Sequence, residues 1–317
     1  TFPAYVGQNL YWVGGSGNWN DKTHWSQTSG GIGGYCVPGP ADNTFFDAGS
    51  GFSETNKTVN IDNISYTRNV TFSGSTVAPI LKQSGAQYLN IYGSSEWQSG
   101  MTDILITYIY YRHTGEAKTI KSNDVKINSE VFFEEENSIS LIDDFYLKSR
   151  LTHVAGTWNT NGHKVTFETD YRTLGTKPKT INLGASQIYL TSTSSFFDSS
   201  LLSVTVNAET SHFYYSALSV NYAGMRNNAN QTFYNVTFNS SMGAISGGAK
   251  YNRADFKGNG SISGSSTFKD VVFTAGKTYS LGANTTQTIE NLTLGGTPCD
   301  VTFVQSSVAG TRANVNV

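Results

Sequence analysis

A short strand phrase recurs along the chain and constrains the fold more than any other feature. In each copy, Asn or Asp precedes three strand residues whose first and third positions are apolar, and a small or polar turn follows. The copies are TRNVTFSG at 67–74, FYNVTFNSS at 233–241, FKDVVFTAG at 268–276 and IENLTLGGT at 289–297. Further strands are predicted at 88–93, 125–133, 138–147, 163–168, 179–192 and 201–208. The steps of mostly ~15–25 residues match one coil of a β-solenoid.

The alternation inside each copy predicts which side chains enter the core. Val236 and Phe238, like Val271 and Phe273, fall on one face of their strands. A three-residue strand cannot bury that face alone, but coils stacked at ~4.8 Å form a continuous interior. We therefore predict an all-β chain folded as a right-handed parallel β-helix of about a dozen coils. A β-sandwich requires more hairpin turns, and a β-propeller requires a longer period.

The composition agrees with many short strands joined by polar turns. Charged residues make up 14% of the chain, against roughly 25% in an ordinary globular protein. Gly, Ser, Thr and Asn take their place, while aromatic residues reach 13% and mean hydropathy is -0.31. Aromatic and β-branched residues favour strands, whereas Asn and Gly favour turns. No stretch has the periodicity of an amphipathic helix.

Charge and hydropathy also limit the partners of the chain. A net charge of -2 and a pI near 6.2 provide no basic surface for nucleic acid. The longest apolar run, ILITYIYY at 104–111, is far too short to cross a bilayer and predicts a strand. We expect neither a nucleic-acid partner nor membrane insertion.

The segment YWVGGSGNWNDKTHW at 11–25 holds three of the five tryptophans. The spacing of Trp12, Trp19 and Trp25 fits neither a helix nor a strand. An open solenoid end exposes strand edges and core, and therefore needs a cover. We predict that residues 1–55 form an N-terminal cap with these tryptophans on the first coil, and that residues 56–317 form one continuous β-helix.

The N-terminal region also resembles a known class of proteins. YWVGGSGNWNDKTHWSQTSGG, CVPGPADNTFFDAGSGF and KTVNID, within residues 11–62, are similar to the segment that opens large secreted surface proteins of Bacteroidota. These include proteins with β-helical passengers and the mobile adhesins of gliding flavobacteria. A looser similarity covers 150–317, in GTWNTNGHKVTF and GGTPCDVTFVQSSVAGTRANV.

This resemblance implies a non-enzymatic structural or adhesive module on the outside of the cell. It implies export by the type IX secretion machinery, contact with surface glycans or other surfaces, and a role in gliding motility or attachment. Because the chain starts at Thr1 and stops at Val317 without a terminating feature, we expect a removed signal peptide in front and more protein behind.

A candidate binding strip lies in YIYYRH at 108–113. Strand alternation places Tyr108, Tyr110 and Arg112 on one face, where rings can stack on sugars. Packing between neighbouring strands is the simpler interpretation. A carbohydrate-binding module that uses Tyr108 and Tyr110 is a further hypothesis.

A candidate catalytic group lies in LIDDFYLKSR at 141–150. Asp143, Asp144, Lys148 and Arg150 resemble the acid and base groups of pectate-lyase-like β-helix enzymes, with Glu134 to Glu136 adding negative charge that could attract calcium. A solvated acidic edge explains the same residues without chemistry. We therefore predict no enzyme, with a β-helical lyase or hydrolase of acidic polysaccharides as the alternative.

Histidines and cysteines complete the set of candidate residues. His24, His113, His153, His163 and His212 lack metal-ligand spacing, so we expect surface or turn positions, no metal and no cofactor. A disulfide requires Cα atoms within about 7 Å. With Cys36 in the cap and Cys299 in a late coil, we expect no bond between them and predict a buried thiol at each. Pairing of Cys299 with a cysteine beyond residue 317 is the alternative.

Overall fold

The computed structural model describes residues 6–102, 104–217 and 223–317. Within those ranges the regular secondary structure is nearly all β, and the helices are two single 3₁₀ turns, Lys22–His24 and Ala48–Ser50. It divides into two compact units, residues 1–157 and 158–317. Each unit is a parallel β-solenoid. This division was not predicted, and it leaves the predicted boundary after residue 55 untested.

Three short strands per coil build the first unit. In order, its strands are β1 (Asn9–Trp12), β2 (Gly17–Asn18), β3 (Trp25–Ser26), β4 (Asn43–Phe46), β5 (Thr58–Ile61), β6 (Ser65–Thr67), β7 (Val70–Phe72), β8 (Ile80–Gln83), β9 (Tyr88–Ile91), β10 (Ser95–Glu96), β11 (Ile104–Leu105), β12 (Tyr108–Tyr111), β13 (Lys118–Lys121), β14 (Lys126–Ile127), β15 (Glu130–Phe133), β16 (Ser138–Leu141), β17 (Phe145–Leu147) and β18 (Leu151–His153). The division between the units falls inside β19 (Gly156–Asn159).

Equivalent strands of successive coils pair in parallel in this unit. The coil of β7, β8 and β9 is followed by the coil of β10, β11 and β12, and each strand pairs with its equivalent. The unit therefore has three parallel walls around one core. At its N-terminal side, β1 pairs in parallel with β4 and antiparallel with β3.

The second unit changes its wall pattern along the stack. Its strands are β20 (Val165–Phe167), β21 (Tyr171–Thr173), β22 (Lys179–Asn182), β23 (Gln187–Leu190), β24 (Phe196–Asp198), β25 (Val204–Asn207), β26 (His212–Tyr215), β27 (Ala223–Arg226), β28 (Thr232–Phe238), β29 (Met242–Ser246), β30 (Lys250–Phe256), β31 (Asn259–Ser263), β32 (Thr267–Phe273), β33 (Thr278–Leu281), β34 (Thr286–Leu294), β35 (Phe303–Ser306) and β36 (Asn314–Asn316). Thr232 of β28 pairs with β25, whereas Asn235 of the same strand pairs with β26. From β28 onward, one long strand thus takes the place of two.

The cores of both units contain columns of stacked aromatic rings. In the first unit, the ring of Phe46 lies 4.0 Å from that of Phe72. In the second unit, Tyr251 lies between Phe233 and Phe268, at 5.4 and 5.2 Å. Stacked coils place equivalent residues above one another, so a large residue at one repeat position forms a column.

The predicted solenoid is confirmed. The side chains predicted to point inward, Val236, Phe238, Val271 and Phe273, are all buried. Counted over both units, the described strands form about twelve turns. The right-handed sense of the helix stays a prediction.

Asparagine ladders explain the polar residue of the recurrent phrase. In the first unit, Asn69 donates its amide to Asn43 at 2.7 Å, and Asn43 donates to Asn9 at 2.9 Å. In the second unit, Asn291 donates its amide to Asp270 at 3.0 Å. An asparagine amide both donates and accepts, so one residue can bond to the coil on either side.

The three N-terminal tryptophans form one aromatic cluster. Trp12, Trp19 and Trp25 are completely buried. Each packs within 6 Å of the ring of Phe46, at 5.5, 5.6 and 5.7 Å in that order. Because Phe46 stacks on Phe72 of the next coil, the cluster is continuous with the core. Residues 1–5 lie outside the described ranges, and a capping role for residues 1–55 stays a prediction.

Candidate functional site

Strand β12 presents two tyrosines on the outer face of the first unit. Its inward residues, Ile109 and Tyr111, are buried, and the Tyr111 hydroxyl lies 2.6 Å from the Ser95 hydroxyl. Tyr108 and Tyr110 alternate with them and are half-buried. The predicted common face of Tyr108 and Tyr110 is therefore present, because successive strand residues point to opposite sides of a sheet.

Neighbouring coils extend this pair into an outer aromatic strip, which we define as Tyr88, Tyr108, Tyr110 and Phe132. Tyr88 of β9 pairs with Tyr108, and Phe132 of β15 pairs with Tyr110. The ring of Tyr110 lies 4.5 Å from Phe132 in a stacked arrangement and 5.4 Å from Tyr88 edge to face. The strip is thus a platform that crosses three consecutive coils.

Arg112 completes the platform. Its guanidinium carbon lies 4.1 Å from the centre of the Tyr110 ring. The same group donates to the side chain of Asn90 at 2.7 Å and forms an ion pair with Glu134. Arg112 is therefore held over the ring by groups on both adjacent coils, at one side of the outer aromatic strip.

The environment of Tyr110 keeps its hydroxyl neutral. Partial burial raises the pKa of Tyr110, and the nearby Glu134 carboxylate acts in the same direction, while Arg112 opposes them. A neutral phenol can donate and accept hydrogen bonds beside an apolar ring face. Because Phe132 and Arg112 both pack on the Tyr110 ring, Tyr110 offers its edge and hydroxyl, and the strip combines ring edges, hydroxyls and one guanidinium that can contact sugar hydroxyls.

The four residues of the candidate catalytic group differ in their surroundings. Both carboxylate oxygens of Asp143 accept hydrogen bonds from the adjacent coil, from the N–H groups of Ser122 and Asn123 at 2.7 and 2.6 Å. Asp144 is exposed, and its backbone carbonyl accepts from the Ser122 hydroxyl. Lys148 is half-buried after β17. Arg150 lies 4.0 Å from Glu130 of another coil. Asp143 thus serves the backbone of a turn, and the lyase alternative stays untested.

A buried polar cluster at a corner of the first unit was missed in part by the sequence analysis. Glu135, expected on a solvated edge, is completely buried, as is the side chain of Lys118, with which it forms an ion pair. The carboxylate also accepts from the N–H groups of Thr114 and Asn137, both at 3.0 Å. The expectation of a solvated Glu135 was therefore wrong. Its carboxylate is buried because it accepts hydrogen bonds from several donors that are themselves buried at this corner.

The surroundings of this cluster shift the titration of its lysine. Burial lowers the pKa of Lys118, because loss of water disfavours the ammonium form, and the neighbouring Glu116 carboxylate opposes that shift. His113 lies at the mouth of the cluster, with Nδ1 3.2 Å from Glu135 and half of its side chain exposed. The sequence spacing of Lys118 and Glu135 does not predict their ion pair, because the pair depends on the length of the coil between them.

No family model matches the chain, and neither a curated protein nor a solved structure matches it. Among the described residues, no group of three or more His, Cys, Asp or Glu is placed to hold a metal ion. Across the same ranges, no helix is long and apolar enough to span a membrane.

Two expectations about single residues were wrong. His153, expected at the surface or in a turn, is buried in β18, where its Nε2 lies 2.9 Å from the carbonyl of Ala155. Cys36 and Cys299, expected as buried thiols, are both exposed and free. Cys36 lies in a loop and Cys299 in a turn, where the strand alternation that buries apolar side chains does not apply.

Tyr88 and Phe132 are the members of the outer aromatic strip that the sequence analysis did not name. Both lie in predicted strands, at 88–93 and 125–133. Aligning those strands with β12 was the signal that could have found them, because parallel coils stack equivalent positions. The register was missing, since the loops between the strands differ in length.

Proposed function

We propose that this chain is a non-enzymatic structural and adhesive module on the outside of the cell, and that the outer aromatic strip is its contact surface for glycans. The observation that carries the proposal is the platform of Tyr88, Tyr108, Tyr110 and Phe132, with Arg112 over one ring. Aromatic rings left half-exposed on an outer face, with polar groups at their edge, favour binding to sugars.

Two further observations support the adhesive role. The resemblance of residues 11–62 to the opening segment of large Bacteroidota surface proteins favours a cell-surface adhesin exported by type IX secretion, acting in gliding or attachment. A parallel solenoid also suits that role, because stacked coils provide an extended outer surface.

Binding to immobilised glycans tests the proposal. The full chain is applied to a panel of neutral and acidic polysaccharides, and bound protein is quantified. We expect retention on at least one glycan, and a loss of about fivefold or more in affinity for Tyr108→Ala/Tyr110→Ala, because the variant removes two aromatic surfaces and two hydroxyls from the strip. Tyr66→Ala is the matched control, since Tyr66 is an outer tyrosine that is 36% exposed and does not belong to the outer aromatic strip.

The outcomes separate the hypotheses. Equal binding by the double variant and the control would contradict a role for the outer aromatic strip. Release of shortened chains from an acidic polysaccharide such as pectate or alginate, with or without calcium, would favour the lyase alternative. Asp143→Asn is then the variant to compare, because its carboxylate is the one that the turn holds in place.

A further inference from the structure

The four long strands of the second unit share a bend that the register reveals. Between the paired positions of β28 and β30, Phe233 faces Tyr251 and Asn235 faces Arg253, while the residue between them is skipped. The same skip recurs between β30 and β32 and between β32 and β34. The skipped residues are Tyr234, Asn252, Lys269 and Glu290.

Side-chain alternation turns this bend into a groove. The residues just before the skipped ones are buried and form the floor: Phe233, Tyr251, Phe268 and Ile289. The residues before these point outward and form one wall: Thr232, Lys250, Thr267 and Thr288. The skipped residues form the opposite wall, and the Tyr234 ring is 37% exposed there. We call this feature the bend groove.

The bend groove runs across the strands rather than along one of them. One cavity of about 770 Å³ reaches from Thr205 to Asn252, and a second of about 540 Å³ reaches from Lys250 to Val317. Lys250 and Tyr251 line both cavities, so the two cavities are neighbours along the stack of coils. Adjacent strands lie ~4.8 Å apart, so each coil adds one residue to each wall of the groove, mostly threonine on one side and a different residue at each coil on the other.

The chemistry of the walls fits a sugar chain better than a peptide. Threonine hydroxyls, an asparagine amide and charged groups supply donors and acceptors for hydroxyls, and Tyr234 supplies a ring face. A peptide that binds by strand addition needs an unpaired strand edge. Apart from the skipped residue of each, β28, β30 and β32 pair with a strand on either side and therefore present no continuous free edge, whereas β34 pairs with β36 only at Thr286–Thr288.

The charge of the lining favours a neutral ligand. Lys250 and Lys269 contribute two positive charges, and Glu209 and Glu290 contribute two negative charges. A polyanion would meet both glutamates, and an excess of basic groups that could attract it is absent from the described lining of these two cavities.

We propose that the bend groove is a binding site for a single strand of a neutral, linear polysaccharide lying along the stack of coils. This inference goes beyond the proposed function, because it assigns a second site in a different unit and does not require the outer aromatic strip.

Titration of the full chain with neutral oligosaccharides of two, four and six units tests this inference. The probes are fragments of β-1,4-glucan, β-1,4-xylan, β-1,4-mannan and β-1,3-glucan. Their binding is measured by calorimetry and by NMR or fluorescence. We expect at least one series to bind more tightly as its length increases, because longer chains contact more coils. The affinity should change less than about twofold between 50 and 300 mM salt, since no net charge is neutralised.

Variants locate the site. Tyr234→Ala and Lys250→Ala should each weaken binding about fivefold or more, whereas Tyr234→Phe, which keeps the ring, should retain most of it. Both positions are exposed, so the melting temperatures of the three variants should match that of the unmodified chain. Tyr108→Ala/Tyr110→Ala should leave this binding unchanged, which separates it from the strip proposal.

Three results would overturn the inference. The first is the absence of binding to every series at millimolar concentration. The second is binding that Tyr234→Ala and Lys250→Ala leave unaltered. The third is exclusive binding of polyanions or extended peptides. A finding that the outer aromatic strip does not bind glycans would not affect these results, because the two sites are tested with different variants.

Discussion

The ammonium of Lys118 and the carboxylate of Glu135 form an ion pair with both side chains completely buried in the first unit. Each charge therefore depends on the other for the interactions that water would otherwise supply. Glu135 also accepts backbone donors from Thr114, Gly115 and Asn137. The pair thus organises a whole corner of the coil.

Removing one member of this pair should strongly destabilise the first unit. We expect Lys118→Met to cost about 3–5 kcal/mol in the free energy of unfolding, because it leaves the Glu135 charge buried without its partner. Lys121→Met is the matched control on the same strand. Its ion pair with Glu96 is partly exposed and should be worth about 0–1 kcal/mol. Urea unfolding measures both, and equal losses would contradict a special role for Lys118.

The Asp143 carboxylate should matter for the stability of the turn that it holds. Asp143→Ala leaves the N–H groups of Ser122 and Asn123 without their acceptor and should cost about 1–3 kcal/mol. The adjacent, exposed Asp144 provides the control, and Asp144→Ala should cost less. Thermal unfolding of the two variants checks the order, and a larger loss for Asp144→Ala would count against it.

The tryptophan cluster should stabilise the N-terminal coils. We expect Trp25→Ala to cost about 3–5 kcal/mol, because it leaves a cavity between Trp12, Trp19 and Phe46. Ile32→Ala in the same segment should have little effect, since Ile32 is 95% exposed. Calorimetric melting compares the two variants.

Deletion of residues 1–50 tests the predicted cap directly. The deletion removes β4, which pairs with β7, and removes Phe46 from the ring of Phe72. An unpaired strand edge beside an uncovered apolar ring should drive association. Sedimentation should therefore detect aggregates or end-to-end assemblies. A monomer of unchanged melting temperature would show that residues 1–50 are not a cap.

The second unit should become less stable as the pH falls, in part because His212 is protonated. Partial burial lowers the pKa of His212, with Arg253 acting in the same direction and Asp255 opposing. The unfolded chain therefore binds this proton at a higher pH than the folded chain, and stability falls as the pH drops through about 6.5. The free energy of unfolding at pH 7.5 and 5.5 should change less in His212→Gln. An identical change in both proteins would refute the assignment.

Both cysteines should react in the folded chain. Cys36 and Cys299 are exposed and free, so iodoacetamide should add to both thiols without denaturant. Intact-mass spectrometry counts the additions, with the chain in guanidinium as reference. One addition or none in the native chain would contradict the exposure, and a bridged peptide in a non-reducing digest would contradict the free thiols.

The sequence alone predicts the architecture but not the positions that depend on register. Alternation identifies Val236 and Phe238 as core residues, because it is a local property of one strand. The contact of Lys118 with Glu135, and that of Tyr110 with Phe132, instead depend on how many residues each coil contains. Loops of unequal length hide that number. The bend groove was missed for the same reason, since it requires four coils to be aligned.

The continuous register of Phe233, Tyr251, Phe268 and Ile289 has an evolutionary consequence. Each of these coils meets its neighbours through the same kind of surface, a buried ring or aliphatic side chain above and below. Duplication or loss of the gene segment that encodes one coil would therefore leave neighbouring coils packed through the same kind of contact as before. Proteins built this way can change length by recombination in whole-coil steps, and a groove shared by successive coils would lengthen or shorten with them.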